Sequence, residues 1–225
     1  MDKTELDKLF YIDKNYSGIK ELTANNLDDR SFNMLGKINL WNGNLVEAYK
    51  YFKQSQYIFG CAYCKLMEEE IEEAKIILKD IKNQSSAVNW LLCLVNIIEN
   101  NDYDNPTYFQ IRNFYEQDLN MFFLYKRKKY IEKVIGANSY FEHFNREVYK
   151  YSARVLFNNN YLELAEKLLK KSLNIFYKDA ETHFMLGEIY YKKKEIEKAK
   201  IEYIQSNKVN GNYGPAINRL SKLNN

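Results

Sequence analysis

Helix breakers and covalent staples are both scarce in this chain. Its 225 residues include two prolines and eight glycines, too few for the succession of tight turns that an all-strand fold needs. Three cysteines, an odd number, offer no disulfide framework. No run of about 18 uninterrupted apolar residues exists to span a bilayer. The opening "MDKTELDKLFYIDKN" sets acids among its bases where a leader would carry an apolar stretch. A cytoplasmic protein without membrane insertion is expected. Charge of one sign is lacking too: 33 basic side chains against 30 acidic ones leave +3, far from the strongly basic face of a nucleic-acid binder. No glycine-rich phosphate loop, HExxH or GxSxG occurs. Without these signatures no catalytic residue, cofactor or metal site is expected.

Aromatic and charged residues are abundant, at 16% and 28%, with 20 tyrosines and 27 each of lysine and asparagine. Small residues recur at a fixed interval. Gly187 precedes Ala199 by 12 residues, and the interval returns in Ala153 to Ala165, Gly36 to Ala48 and Ala62 to Ala74. A large apolar residue at +4 and a serine at +7 follow three of the second members: Ala48-Phe52-Ser55, Ala165-Leu169-Ser172 and Ala199-Tyr203-Ser206. The last two sets lie 34 residues apart. Small residues in each of two antiparallel helices let the backbones approach, and large neighbours one turn away fill the space beside the crossing. On the first helices His183, Leu186, Gly187 and Tyr190 form a stripe at helical spacing, matched by Tyr149, Ser152, Ala153 and Leu156, and by Phe32, Leu35, Gly36 and Asn39. The turns "NGN" (42–44) and "NNN" (158–160) separate the helices of a pair.

This pattern resembles the tetratricopeptide repeat (TPR), a 34-residue helix–turn–helix unit. The resemblance covers 29–59, 146–179 and 180–213, with shortened or degenerate units over 57–145. A helix pair at 4–24 precedes them. A capping helix at 215–223, opened by Pro215, follows, with Ile217, Leu220 and Leu223 covering the last repeat while Asn218, Arg219 and Lys222 face water. The chain departs from the family at His183, where a large aromatic is common, and at Ser152 and Asn39, which take apolar places. Ala48 to Ala74 spans only 26 residues. The run 85–99 reads as a helix striped by Trp90, Cys93, Leu94 and Ile97. Segment 103–140 is helical and aromatic but out of register, and the pairing of its helices stays open. The fold implied is all-α, a right-handed superhelical solenoid of antiparallel helix pairs forming a single array over 1–225.

Few residues invite a chemical role. Cys61 and Cys64 of "CAYC" share a helical face, with Cys93 a conceivable third ligand, but structural zinc wants four ligands and buried packing explains the pair better. His183 lies on the packing stripe, and His143 stands near no interpretable nucleophile. The acid run "MEEEIEEAK" complements helix starts, and "KRKK" (126–129) and "KKK" (192–194) keep the surface wet.

In the family resembled, the stripe opposite the packing face of each first helix lines a concave groove that receives a peptide. That places Arg30, Asn33, Lys37 and Trp41 in the groove from the first clear repeat. Lys150, Arg154 and Phe157, beside Glu147, come from the next, and Glu181, Phe184, Glu188 and Tyr191 from the last. Lys150 and Arg154 would meet a ligand carboxylate and the aromatics would anchor apolar groups. Phe184 and Tyr191 are either groove residues or covered by the capping helix. The expected function is a non-catalytic scaffold or adaptor that binds a protein or peptide partner. The alternative is a regulatory or sensor subunit that binds a signalling peptide and acts through a partner.

Overall fold

A computed structural model of the chain describes residues 28–223 together with Ser17 and Ile19. The helix pair expected over 4–24 lies outside the described residues, save that Ser17 and Ile19 are helical and Ile19 is buried against Met34, Leu35 and Ile38. The described residues form helices joined by short turns, with no strand among them, and they divide into two compact units.

The first unit runs to Asp104 and adds residues 124–128. It contains α1 (Asp29–Trp41), α2 (Leu45–Gln54), α3 (Ile58–Met67), α4 (Ile71–Lys79) and α5 (Ser86–Glu99). Asp28 opens α1 by accepting from the Ser31 amide at 2.8 Å, and Ser85 caps α5 through Val88, each satisfying a helix-start donor that has no partner inside the helix. α1 pairs with α2 and α3 with α4. The close crossing predicted at Gly36 is real: a Cβ there would stand 2.5 Å from the Phe52 ring. Gly60 meets the other edge of Phe52 in the same way, so one aromatic side chain on α2 fixes both its partner helix and the next. The short Ala48–Ala74 interval follows from shorter helices, since α3 has 10 residues and α4 has 9, where α1 has 13. The predicted α5 stripe is buried at all four positions, Trp90, Cys93, Leu94 and Ile97. Leu91, Val95 and Ile98 are buried as well, so α5 is covered on more than one face.

The second unit holds 105–123 and 129–225. It begins with a turn of helix, α6 (Tyr108–Gln110), opened by a capping box between Thr107 and Gln110. A π-helical turn, Ile111–Tyr115, leads into α7 (Glu116–Leu124). Then come α8 (Lys128–Gly136), the short α9 (Asn138–Phe141), α10 (Val148–Asn158), α11 (Leu162–Ile175), α12 (Ala180–Lys192), α13 (Ile196–Val209) and α14 (Gly214–Leu223). α10 pairs with α11 and α12 with α13. A Cβ on Gly187 would overlap the Tyr203 ring, and Ala153, Leu169, Ala165 and Ala199 are all fully buried. The serine at +7 has a role as well: Ser206 Oγ donates to the Ala180 carbonyl at 2.7 Å, tying the end of α13 to the start of α12.

The segment 103–140, unpairable in sequence, keeps the repeat register in its second half. The turn residues Lys126, Asn160 and Lys194 all take the left-handed conformation (φ 57°, 65° and 62°) at 34-residue intervals. Leu119 and Ile131 stand where the later repeats have Ala153 or Gly187 and Ala165 or Ala199, so no small-residue signal marks this unit. Phe122 on α7 and Tyr130 on α8 meet edge to face at 5.5 Å instead. Ser152 departs from the family because Tyr115 and Asn138 require it. Tyr115 Oη donates to Asn138 Oδ1 and lies 2.6 Å from Ser152 Oγ, and Asn138 Nδ2 donates to that oxygen at 2.7 Å. The three buried polar groups satisfy one another and pin the π turn to α9 and α10.

Pro215 sits in the first turn of α14, as expected. Leu220 and Leu223 are half-buried and Asn218 and Lys222 exposed, as expected, but the facing needs correction at two positions. Ala216 is its buried residue, Ile217 is exposed, and Arg219 turns inward rather than to water.

Candidate functional site

In the second unit, the side of α7, α10 and α12 away from the packing stripe is built from one register repeated three times. The 34-residue interval sets Glu116, Asn120 and Phe123 on α7 beside Lys150, Arg154 and Phe157 on α10, and Phe184, Glu188 and Tyr191 on α12. Phe123 and Phe157 are half-buried and Tyr191 is exposed. Each of the three rings carries a cover. Phe123 lies 5.4 Å from the Tyr161 ring, Lys192 Nζ stands 3.9 Å above Phe157, and the Arg219 guanidinium stands 5.2 Å above Tyr191.

The two cations expected to be available here are engaged within the unit. Lys150 is buried, and its Nζ donates to Glu147 at 2.7 Å and to Asp179 at 2.9 Å, with Glu181 at 3.4 Å. Burial pulls its pKa down, but these carboxylates overcome that and hold the ammonium above the usual lysine range. Asp179 also caps α12 through the amides of Glu181 and Thr182, so Lys150 locks α10 to the start of α12. Arg154 reaches Glu116 on α7 at 2.7 Å and Glu181 at 2.5 Å. Glu116 is the poorly compensated member: burial, with Glu181 repelling it, keeps its pKa raised despite Arg154.

The last repeat divides between face and cap. Phe184 packs against Tyr203 at 5.8 Å and Tyr213 at 5.7 Å. Glu188 accepts from Tyr203 Oη at 2.6 Å and, bidentately, from Arg219 Nε at 2.7 Å and Nη2 at 2.5 Å. Five carboxylates (Glu116, Glu147, Asp179, Glu181 and Glu188) thus face Lys150, Arg154 and Arg219, with Lys192 over Phe157 as a fourth cation, so the surface keeps one carboxylate in excess. Sequence reasoning missed Glu116, Asp179, Phe123 and Arg219. The signal for Phe123 was present, since it stands 34 residues before Phe157 and 68 before Tyr191.

In the first unit Arg30, Asn33 and Lys37 are half-buried on α1 and Trp41 is exposed at its end. Burial lowers the Lys37 pKa, and its Nζ lies 5.6 Å from the Tyr57 ring centre. Asn33 Oδ1 is buried with no hydrogen-bond partner among the described residues.

The remaining candidates are packing residues. Burial pushes the thiols of Cys64 and Cys93 up to about 12, away from the depressed values of reactive thiolates. His183 is buried, with Nδ1 2.7 Å from Glu202 and Nε2 3.1 Å from the Tyr177 carbonyl. A separate cleft of about 420 Å³ opens between α8, α9 and α11, lined by Tyr149, Leu168, Lys167 and Lys171 among others. It contains none of the predicted site residues. No helix among the described residues is long and apolar enough to cross a membrane.

No protein-family model and no curated protein matches the chain. Solved structures do resemble it. A tetratricopeptide repeat protein from Parabacteroides merdae is 15% identical over 99% of this chain and 98% of its own, with a TM-score of 0.39. YrrB, described as a TPR protein with an unusual peptide-binding site, is 12% identical over 91% of this chain and 97% of its own (TM-score 0.38). A thermophilic TPR protein of Thermus thermophilus is 15% identical over 87% and 98% (TM-score 0.36). The fold rests on the helix pairs themselves: the Gly36–Phe52 and Gly187–Tyr203 crossings, the α10–α11 pair with Ala153 and Leu169 buried, the Ser206 tie, and the left-handed turns at Lys126, Asn160 and Lys194. By that geometry the described residues form an all-α fold of antiparallel helix pairs, the fold that the tetratricopeptide resemblance implies.

Proposed function

We propose that the chain is a non-catalytic interaction module that takes a segment of a partner protein along the second unit's face of α7, α10 and α12. One observation carries the reading: Phe123, Phe157 and Tyr191 stand at a single register position of three successive first helices, outside the buried core. Aromatic side chains spaced along one face, bordered by fixed charges, offer anchor points at low entropic cost. The ion pairs of Lys150 and Arg154 support this role by holding the frame still rather than by contacting ligand. The groups best suited to chemistry, Tyr115, Ser152 and His183, are buried and committed to internal hydrogen bonds, which fits binding rather than catalysis. Three free cysteines suit a reducing compartment such as the cytoplasm.

The test is affinity capture with tagged chain, followed by mass spectrometry, comparing the native sequence with a Phe157→Ala/Tyr191→Ala double variant. A partner enriched by the native chain should fall about tenfold, the loss of roughly 1.4 kcal/mol, while the helical circular dichroism stays unchanged. Equal capture by a folded double variant would overturn the reading.

A further inference from the structure

The end of the face on α12 already holds an occupant, and that occupant is part of the chain itself. α14 is lightly seated. Of its ten residues only Ala216 is buried, Ile217 is exposed, and Leu220 and Leu223 are half-covered. It rests on α13 with Ala216 buried, and one polar side chain clasps its inner side. Arg219 donates twice to Glu188 and lays its guanidinium over Tyr191. The receiving site is built from below: Tyr203 Oη donates to the same Glu188 oxygen that Arg219 Nε reaches, the Glu188 side chain is 16% exposed, and the Tyr203 ring is wedged against Gly187. Arg219 both pairs with the Glu188 carboxylate and covers it. Without Arg219 the face would carry five carboxylates against Lys150, Arg154 and Lys192. Glu116, already raised by burial, shows that the unit does not fully compensate its own acids.

We propose that Glu188 and Tyr191 form an arginine-recognition subsite, that α14 occupies it as a resident stand-in, and that a partner segment enters by presenting its own arginine and displacing Arg219. This rests on the reading of the face given above and names the chemistry of its partner: a basic, arginine-bearing segment. A planar guanidinium fits both halves of the subsite, since it offers two parallel donors to the carboxylate and a flat cation to the ring, whereas an ammonium can satisfy only one donor geometry at a time. The tether makes the resident occupant strong by proximity rather than by contact, so displacement needs a partner that adds anchors at Phe157 and Phe123.

The probe is a fluorescein-labelled peptide of residues 211–225, added in trans to the full-length chain and followed by anisotropy. In the native chain the resident α14 competes, and the peptide should bind weakly. Ala216→Asp puts a carboxylate into the one buried position of α14 and should free the subsite, strengthening peptide binding at least about tenfold. Arg219→Ala in the chain, which loosens the clasp without touching the buried seat, should give a smaller gain in the same direction and serves if Ala216→Asp misfolds. Adding Glu188→Gln to either variant, or replacing the peptide's arginine with alanine, should reverse the gain; replacing it with lysine should reverse most of it. The proposal is overturned if the freed chain binds no peptide, if native and freed chains bind it equally, or if binding survives loss of Glu188 or of the arginine. Should the peptide fail while Phe157→Ala/Tyr191→Ala still strips a partner, the subsite chemistry falls and the face stands. The opposite pair of results would retain the subsite for α14 and remove its use by a partner together with the wider face.

Discussion

At the scale of single residues, two kinds of position hold the repeats in place: small residues that admit a ring, and buried cations that join helices. Gly187 belongs to the first kind. A methyl group there meets the Tyr203 ring, and Tyr203 is fully buried and hydrogen-bonded to Glu188, so it cannot swing aside without losing that bond. Gly187→Ala should cost about 1–3 kcal/mol in urea unfolding, although alanine is the better helix former. A gain in stability would mean that the crossing is looser than described. Lys150 belongs to the second kind. Lys150→Ala leaves Asp179, a helix cap, and Glu147 without their cation, and removing one partner of a buried pair costs about 3 kcal/mol. A charge reversal at both Lys150 and Arg154 would not isolate binding. Glutamates there would gather with Glu116, Glu147, Asp179 and Glu181 and part α10 from α12, so lost binding would report a lost fold.

Between elements, Glu166 makes the clearest joint. From α11 it accepts from Lys193 at 2.8 Å and from Tyr190 at 3.1 Å, both across the pair boundary, and from Lys170 at 2.6 Å on its own helix. Burial raises its pKa, but these donors outweigh burial and bring the carboxyl down to about 2. An unfolded glutamate titrates near 4.3. The joint therefore stabilises the fold fully above that value and is lost as pH falls from about 4 towards 2. Glu166→Gln should be less stable than the native chain at pH 6 and converge with it near pH 2, read as urea midpoints at the two pH values. A constant gap across that range would contradict the assignment. How much of this was legible in the sequence divides along the same line. Helix pairs could be read wherever a small residue faces a ring, as with Gly36 and Phe52 or Gly187 and Tyr203, because sterics leave a mark in residue type. The contact of α7 with α8 could not, because Phe122 and Tyr130 meet there with no small residue between them and a π turn precedes α7. The site was half legible: positions followed from register, but the partners of Lys150 and Arg154 lie up to 38 residues away in sequence. Which carboxylate claims which cation is settled only by packing. Arg219, 31 residues from Glu188, therefore reads in sequence as a water-facing residue.

At the scale of the whole molecule, the chain consists of two compact helical units, and the acidic, aromatic-lined face belongs to the second. The charge balance of +3 conceals this local excess of carboxylates, so attraction of a basic segment to that face should weaken as salt screens it. Binding of the 211–225 peptide to the Ala216→Asp chain should accordingly fall between 50 and 500 mM salt, as the Debye length shortens from roughly 14 to 4 Å; salt-independent binding would point to apolar contacts alone. The most direct test of the central claim is site-specific photo-crosslinking from the face itself. Benzoylphenylalanine placed at position 157 should yield a covalent adduct with the partner in cells, while the same group at position 167, on α11 beside the separate cleft, should yield none. A partner captured from position 167 and never from 157 would contradict the account.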